Sequence, residues 1–356
     1  MQTSVEKRNG WFDVLKGIGI IGILCTHTVS DTFHLAEAEE NFFGSGYLMV
    51  QLFFIISGYF AFQSFQKAQG AQIFYRKKVR ELVPICWISY LVFIINAGIA
   101  HKPVSLSAII SAFTFTNGID LFEINSLQNW FIGTLAVFIL LVPVLYKFIR
   151  GMGGAILFFF ASVAVAIGST EVLIRLGFGG GWVFYFWLPR QLPLLALGII
   201  LFFENERSPS GERWLGTFHL FLLLVVFLYF VADSDFLDRY FYIAVGMLFF
   251  LIVEHFKGMA PCRSKGFLAL LGRNTLGIYL FHIAFSWVLW KEIGQIILDL
   301  LTTNVVFNTL IYGLYVFVLL IISLGYSLLV SLLVKKRGVF LRKIRRERKA
   351  HDDVDK

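Results

Sequence analysis

The stretch Trp11–Ser30, WFDVLKGIGIIGILCTHTVS, decides the fold, because it is long and apolar enough to span a membrane and yet carries ionisable side chains. A helix of this length covers about 30 Å at about 1.5 Å per residue, which is the thickness of the hydrocarbon core of a bilayer. Ionisable side chains are costly at that depth and usually mark a function. The sequence therefore predicts a membrane-spanning helix with a polar site on it.

Lys16 and His27 are two side chains of this stretch that do not suit lipid. They are eleven positions apart, almost three turns at about 3.6 residues per turn, so both leave the helix on one face, roughly 16 Å apart along its axis. Gly17, Gly19 and Gly22 would let another backbone or a thin ligand approach that helix closely. The simpler alternative is a lysine that reaches the membrane surface and a histidine that hydrogen-bonds a neighbouring helix.

The composition of the whole chain excludes an ordinary soluble domain. Of its 356 residues 58% are hydrophobic and only 15% are charged, and its mean hydropathy is +0.75. The three cysteines include no CxxC pair, so the sequence predicts neither a disulfide framework nor a metal site. Lys7 and Arg8 precede the first apolar run as in a signal peptide, but Asp13 and Lys16 interrupt the run, which indicates a retained helix.

Apolar segments long enough to cross a bilayer recur along the chain and predict an all-α polytopic membrane protein with ten transmembrane helices. A shorter apolar stretch at 106–116 is too brief to cross and would form a re-entrant or interfacial piece. The ten predicted spans are 12–29, 47–66, 84–100, 128–149, 154–170, 182–203, 215–232, 239–256, 267–290 and 305–333.

The positions of the basic residues predict that both chain termini are cytoplasmic. Cytoplasmic loops accumulate Lys and Arg, and with the N-terminus inside, most of the chain's 31 lysines and arginines fall on inner segments. The outer segments hold only Lys102, Arg175, Arg239 and Lys291. We therefore predict a transmembrane domain at 1–334 and a basic cytoplasmic tail at 335–356, attracted to anionic lipids; nucleic-acid binding is the less favoured reading of the tail.

Three further stretches depart from a plain lipid-soluble pattern. Ser57 and Gly58 interrupt the aromatic run LFFIISGYF in the second span, where small residues usually serve helix packing. The basic stretch FYRKKVRELVP, Phe74–Pro84, stands just before Pro84 opens the third span, and its cations suit either topology or phosphate binding. In LLGRNTLGIYLFH, the rise per residue brings His282 to about mid-membrane, with Tyr279 one turn before it.

Arg190 is the other costly residue inside a span. It lies in WLPRQLP between two prolines, and a charge at that depth has a partner or a ligand. The acidic DSD sequence at 233–235 is similar to the metal-binding DxD motif of membrane glycosyltransferases. The short outer loop around it and the absence of a large catalytic domain argue against that reading.

Taken in order, these motifs resemble the acyltransferase 3 family of integral membrane acyltransferases. The resemblance covers about residues 8–333, which is nearly the whole chain. It is carried by five features of the sequence: Lys16 followed by His27, FFxxSGY at Phe53–Tyr59, a basic stretch with Lys77 and Arg80, NWF at Asn129–Phe131, and LGxxxxxIYLxH ending at His282.

The resemblance implies transfer of an acyl group, most often acetyl, from cytoplasmic acyl-CoA to a hydroxyl of a cell-envelope glycan such as O-antigen, capsule or exopolysaccharide. It implies a multi-pass protein of the bacterial cytoplasmic membrane, with acetyl-CoA as a substrate and no permanently bound cofactor. An envelope glycan or lipid-linked sugar would be the acceptor and membrane lipids the surroundings. Lys16 replaces the arginine that is commoner in the family, so a bidentate phosphate contact is not expected there.

The residues and the resemblance together predict roles for individual side chains. His27 would act as general base on the acceptor hydroxyl or accept the acyl group transiently, and Lys16 would hold the donor by its charge. The donor phosphates would rest on the basic stretch, and the pantetheine arm would lie along the Lys16 face. The remaining assignments are Lys77, Lys78, Arg80 and Ser57 for the donor, and Arg190, Trp130, Tyr279 and His282 for the acceptor.

Two other function classes fit a polytopic protein with intramembrane charges. A transporter or flippase of a lipid-linked sugar would use the same residue types, although the two halves of this sequence show no inverted repeat. A polytopic glycosyltransferase would depend on a polyprenyl-phosphate sugar and not on acyl-CoA.

Overall fold

The computed structural model describes residues 10–32, 44–99, 101, 103–116, 130–176, 188–207, 234–259, 266–300 and 305–352. Every regular element within these ranges is a helix, which agrees with the predicted all-α class. A short 3₁₀ turn, Ser45–Leu48, leads into the second α-helix. The α-helices are α1 (Gly10–Thr32), α2 (Met49–Ala68), α3 (Ala71–Ile99), α4 (Leu106–Thr114), α5 (Trp130–Phe148), α6 (Met152–Arg175), α7 (Leu188–Arg207), α8 (Ser234–Gly258), α9 (Phe267–Arg273), α10 (Thr275–Leu300) and α11 (Val305–Asp352).

Several of these helices are long and apolar enough to cross a membrane. Six pass that test within the described residues, or seven when α9 and α10 count as one bent span. Helices α1 and α7 overlap two further predicted spans and carry Lys16 and Arg190. The predicted span 215–232 lies outside the described residues, so the number ten and the cytoplasmic location of both termini stay predictions.

Large apolar side chains cover the outside of the helix bundle. Ile95 on α3, Leu157 on α6 and Leu310 on α11 are 61%, 71% and 67% exposed. Many exposed large apolar side chains are unfavourable in water and suit contact with lipid tails. The chain is therefore a multi-pass membrane protein whose polar groups have to be satisfied inside the bundle.

Helix α1 lies between two groups of helices. Phe12 and Leu15, near its start, join a core formed with α2, α5, α6, α7 and α8. Ile20, Ile23 and Leu24, further along, join a second core formed with α3, α9, α10 and α11. Side chains on α1 therefore reach both cores, as do side chains on α2, α3 and α5.

Glycines allow the closest helix contacts, as the sequence predicts for α1. A Cβ atom on Gly17 would overlap the carbonyl oxygen of Leu268 on α9, and one on Gly272 would overlap that of Asp13 on α1. Gly58 on α2 and Gly198 on α7 approach each other's helices in the same way. The predicted packing role of the Ser57 and Gly58 pair is thus confirmed for Gly58.

Gly272→Ala is expected to destabilise the folded protein, because the added methyl group meets backbone that cannot rotate away. Overpacking of this kind costs about 1–3 kcal/mol. Gly313→Ala is the matched control, since the space around Gly313 on α11 is open and alanine favours a helix over glycine. Thermal unfolding of both variants in detergent measures the difference; equal melting temperatures would contradict the close contact between α1 and α9.

The third long helix does not begin at Pro84, where the sequence placed the start of the third span. Helix α3 begins at Ala71 and continues through Pro84 to Ile99, so the basic stretch and the span form one helix. Proline has a helical φ and removes only one backbone donor, and the 29-residue helix retains enough other bonds to continue. Arg76, Lys77, Lys78 and Arg80 therefore stand on the helix itself.

The predicted span 267–290 is also not a straight helix. Helix α9 ends at Arg273 and α10 begins at Thr275, and the two are bent by 85°. The Asn274 amide Nδ2 donates to the Leu270 carbonyl at 2.8 Å, and the Asn274 backbone N–H donates to the Leu271 carbonyl at 2.9 Å. These bonds satisfy carbonyls at the end of α9 that lose their helical partners.

The predicted basic tail continues the last span without a break. Helix α11 runs as one element from Val305 to Asp352. The predicted boundary between 334 and 335 thus marks a change of composition within one helix, and the division into a transmembrane domain and a cytoplasmic tail stays a prediction.

Candidate active site in the helix bundle

The polar face of α1 points into the protein. Ile18, on another face, is 45% exposed, whereas Lys16 and His27 are both half-buried. The Lys16 ammonium lies 3.0 Å from the Asp13 carboxylate, whose side chain is only 1% exposed. The same ammonium is 6.0 Å from the centre of the Phe60 ring on α2. This end of the face therefore carries an ion pair, and not only the cation that the sequence suggested.

His27 meets a second histidine from the far end of the sequence. The ring centroids of His27 and His282 are 5.2 Å apart, with the planes tilted by 47°. His282 lies on α10 and is completely buried, and the Tyr279 ring lies 5.8 Å from it. The structure thus brings together two residues that the sequence assigned separately to catalysis and to acceptor binding.

The hydrogen bond of His282 identifies which of its ring nitrogens carries a proton. Its Nδ1 lies 2.6 Å from the backbone carbonyl oxygen of Tyr279. A carbonyl oxygen can only accept, so Nδ1 is the protonated nitrogen and Nε2 holds the lone pair of the neutral ring. Within the described part of the chain, Nε2 has no hydrogen-bond partner.

Contacts that sequence reasoning missed hold the His27 end of α1 in place. The Tyr312 hydroxyl on α11 donates to the Cys25 carbonyl at 2.7 Å and lies 3.0 Å from the Thr28 hydroxyl. The Thr26 hydroxyl donates to the Gly44 carbonyl at 3.0 Å. Nothing in the motifs pointed to Tyr312, because a single tyrosine in an apolar span carries no spacing signal. Asp13 did carry one, since it stands three residues before Lys16.

An aromatic cluster separates the histidine pair from Trp130. The Phe131 ring lies 5.6 Å from Tyr279 and 4.6 Å from Phe54, and the Trp130 ring lies 6.0 Å from Phe54. Trp130 therefore lies in the second layer around the pair. Ser57 is half-buried one turn further along α2.

The basic stretch lies at the same end of α2 as Lys16. Phe60 contacts Lys16, and Phe65 stacks edge-on against Phe74 of α3 at 5.4 Å. These two rings are about 8 Å apart along α2. Lys77 and Arg80 are exposed, while the Lys78 ammonium lies 3.7 Å from Glu81. Lys77 and Arg80 can thus meet a large ligand at the surface.

Arg190 lies in the other group of helices. It is 5% exposed in the first turn of α7, and its guanidinium carbon lies 4.3 Å from the centre of the Tyr242 ring on α8. A cation over an aromatic face is a favourable contact when both are desolvated. Arg190 thus has a packing partner on α8.

No group of three or more histidine, cysteine or acidic side chains is arranged to hold a metal ion in the part of the chain that the structure describes. The histidine pair offers two imidazoles beside an aromatic wall, and the Lys16 and Asp13 ion pair lies roughly 16 Å away along α1.

A comparison with known families gives a match over most of the chain. The family model described as an acyltransferase domain, that of the acyltransferase 3 family, matches residues 9–330, nearly the whole chain. No curated protein and no solved structure matches the chain.

Proposed function

Because the chain belongs to the acyltransferase 3 family of membrane acyltransferases, we propose that it moves an acetyl group from acetyl-CoA to a hydroxyl of a cell-envelope glycan. The acceptor is an exopolysaccharide, O-antigen or capsule chain, or its lipid-linked precursor. The enzyme works in the bacterial cytoplasmic membrane, and acetyl-CoA is a substrate that leaves as CoA.

The observation that carries this proposal is the histidine pair inside the bundle. His27 and His282 come from α1 and α10, and their ring centroids are 5.2 Å apart. His27 shares a helix face with the Lys16 and Asp13 ion pair, roughly 16 Å away along the axis. Polar groups inside a membrane are expensive to keep, and a base at a buried site suits acyl transfer to an alcohol.

In the proposed reaction His27 is the general base. One ring nitrogen takes the proton from the acceptor hydroxyl as the hydroxyl oxygen attacks the thioester carbonyl carbon. The carbon–sulfur bond then breaks, and the CoA thiolate takes that proton from the imidazolium. The products are the glycan ester, free CoA and a neutral histidine, so the cycle needs no other reactant.

The donor would bind at the end of the bundle that carries the basic stretch. Lys77 and Arg80 are exposed on α3 and can hold the phosphates of CoA together with Lys78. The pantetheine arm would pass Ser57 and the Lys16 face to reach His27. A distance of roughly 16 Å suits an extended arm of this kind.

The acceptor would approach from the other end of α1. Tyr279 lines the histidine pair, and Trp130 lies beyond Phe131. Arg190, buried against Tyr242, can hold a more distant part of a glycan. Membrane lipids surround the protein, and the proposed reaction involves no nucleic acid.

Label transfer tests the proposed activity. Membrane vesicles that contain the protein are incubated with acetyl-CoA labelled in the acetyl group, and the glycan and lipid-linked sugar fractions are isolated. We expect alkali-labile label in these fractions and none with vesicles that lack the protein. Movement of lipid-linked sugar across the membrane without label would instead indicate the transporter alternative.

Variants at the two ends should separate donor from acceptor binding. Lys77→Ala with Arg80→Ala is expected to raise KM for acetyl-CoA about tenfold or more, since two phosphate contacts are lost, and to leave KM for the acceptor unchanged. Arg190→Ala is expected to raise only KM for the acceptor. Each variant is the control for the other, and a reversed pattern would exclude these assignments.

A further inference from the structure

The Nε2 atom of His282 is a base with an unusual environment. The side chain is completely buried, and Nδ1 is occupied by the Tyr279 carbonyl. Among the described residues no donor reaches Nε2. A buried acceptor without a partner is costly, so a group of this kind in a native site calls for a functional explanation.

The His27 ring lies beside His282 and can supply a proton to this atom. At a centroid separation of 5.2 Å, the two rings are close enough for one nitrogen to approach the other after a small rotation of His27. The other ring near His282 belongs to Tyr279, and the backbone carbonyl of that residue is the acceptor for Nδ1. The hydrogen bond to the Tyr279 carbonyl therefore fixes the tautomer of His282 independently of His27.

We propose that His282 is a positioning residue for His27: its Nε2 accepts a hydrogen bond from one ring N–H of His27. The second ring nitrogen of His27 then keeps its lone pair for the acceptor hydroxyl. This inference rests on the proposed function and goes further, because it assigns His282 to the base and not to acceptor binding.

The contact matters most when the base becomes charged. Once His27 has taken the hydroxyl proton, it is an imidazolium ion in apolar surroundings. Its N–H towards His282 meets a neutral lone pair that is already in position, and such hydrogen bonds are stronger at low dielectric. His282 therefore stabilises the protonated state that exists only during the reaction, which raises kcat and leaves substrate binding unchanged.

The structural and the positioning roles of His282 reside on different atoms. Nδ1 donates to the Tyr279 carbonyl and helps to hold α10, whereas Nε2 serves His27. Asparagine can present an amide N–H near the position of Nδ1 but no acceptor at Nε2. Glutamine can present a carbonyl oxygen near Nε2 but gives up the Nδ1 contact. The two variants therefore separate the two roles.

The test compares His282→Asn with His282→Gln in the label-transfer assay, on full-length protein that elutes as a single species in detergent. We expect His282→Asn to lower kcat about 100-fold or more, in the range for loss of general-base assistance, with both KM values unchanged. His282→Gln should retain at least ten times the kcat of His282→Asn. The opposite ranking, or a change in acceptor KM alone, would overturn the proposal.

A double variant separates failure of this inference from failure of the proposed function. If His282 acts through His27, then His27→Ala combined with His282→Asn should be no slower than His27→Ala alone, since residues that act as a unit are not additive. Full activity of His27→Ala would refute the proposed function itself. Loss of activity in His27→Ala together with full activity in His282→Asn would refute only the positioning role.

Discussion

His27→Ala is expected to lower the rate of acetyl transfer by about 10²–10⁴-fold, the usual contribution of a general base. The imidazole faces His282 inside the bundle, so water cannot readily take over its role. The fold should persist, because the Tyr312 hydroxyl still donates to the Cys25 carbonyl at 2.7 Å and fixes this end of α1. Initial rates of label transfer, normalised to the amount of monodisperse protein, measure the effect.

His255→Ala is the matched control for a lost histidine. His255 lies exposed on α8, its ring stands edge-on to Phe256, and no chemistry is assigned to it. We expect this variant to retain normal kcat. A His27→Ala enzyme that works as fast as His255→Ala would show that the reaction does not pass through the first helix.

Lys16→Met is expected to cause the largest loss of stability among single changes at the site. It removes the ammonium that lies 3.0 Å from a carboxylate with 1% exposure. Breaking a buried ion pair from one side costs about 3–5 kcal/mol, because the remaining charge stays desolvated. The measurement is the melting temperature of the purified protein in detergent, together with its yield in membranes.

Replacing both charges distinguishes the ion pair from a requirement for lysine alone. Asp13→Asn combined with Lys16→Met removes the two opposite charges together, and we expect it to recover much of the lost stability. Activity need not return with it, since Lys16 is also proposed to guide the donor. A double variant as unstable as Lys16→Met would mean that the ion pair does not determine the stability of this end of α1.

The sequence predicted the presence of the helices better than the positions where they begin or bend. Apolar runs of about 20 residues place most spans within a few positions, because backbone groups in lipid have to pair within the segment. The through-going helix at Pro84 and the bend after Arg273 were missed. Both depend on whether neighbouring groups replace a lost backbone hydrogen bond, and composition alone does not report this.

The sequence predicted individual residues of the candidate site but not which of them lie next to each other. The eleven-residue spacing indicated one face for Lys16 and His27, and Gly17 indicated a close helix contact, which Leu268 makes. The pairing of His27 with His282, over 255 positions, could not be read from periodicity. Nor could the burial of Arg190 against Tyr242.

By itself, the amino-acid sequence determined that this protein is helical, lies in a membrane and carries ionisable side chains on one face of its first helix. These properties follow from hydrophobic length and helical period, which are local. Only the tertiary structure decided which side chains of separate helices meet: the second histidine beside the first, Tyr242 beside Arg190, and Tyr312 beside the end of α1. Such contacts depend on how separate helices pack through small residues, and that geometry is not contained in any single segment.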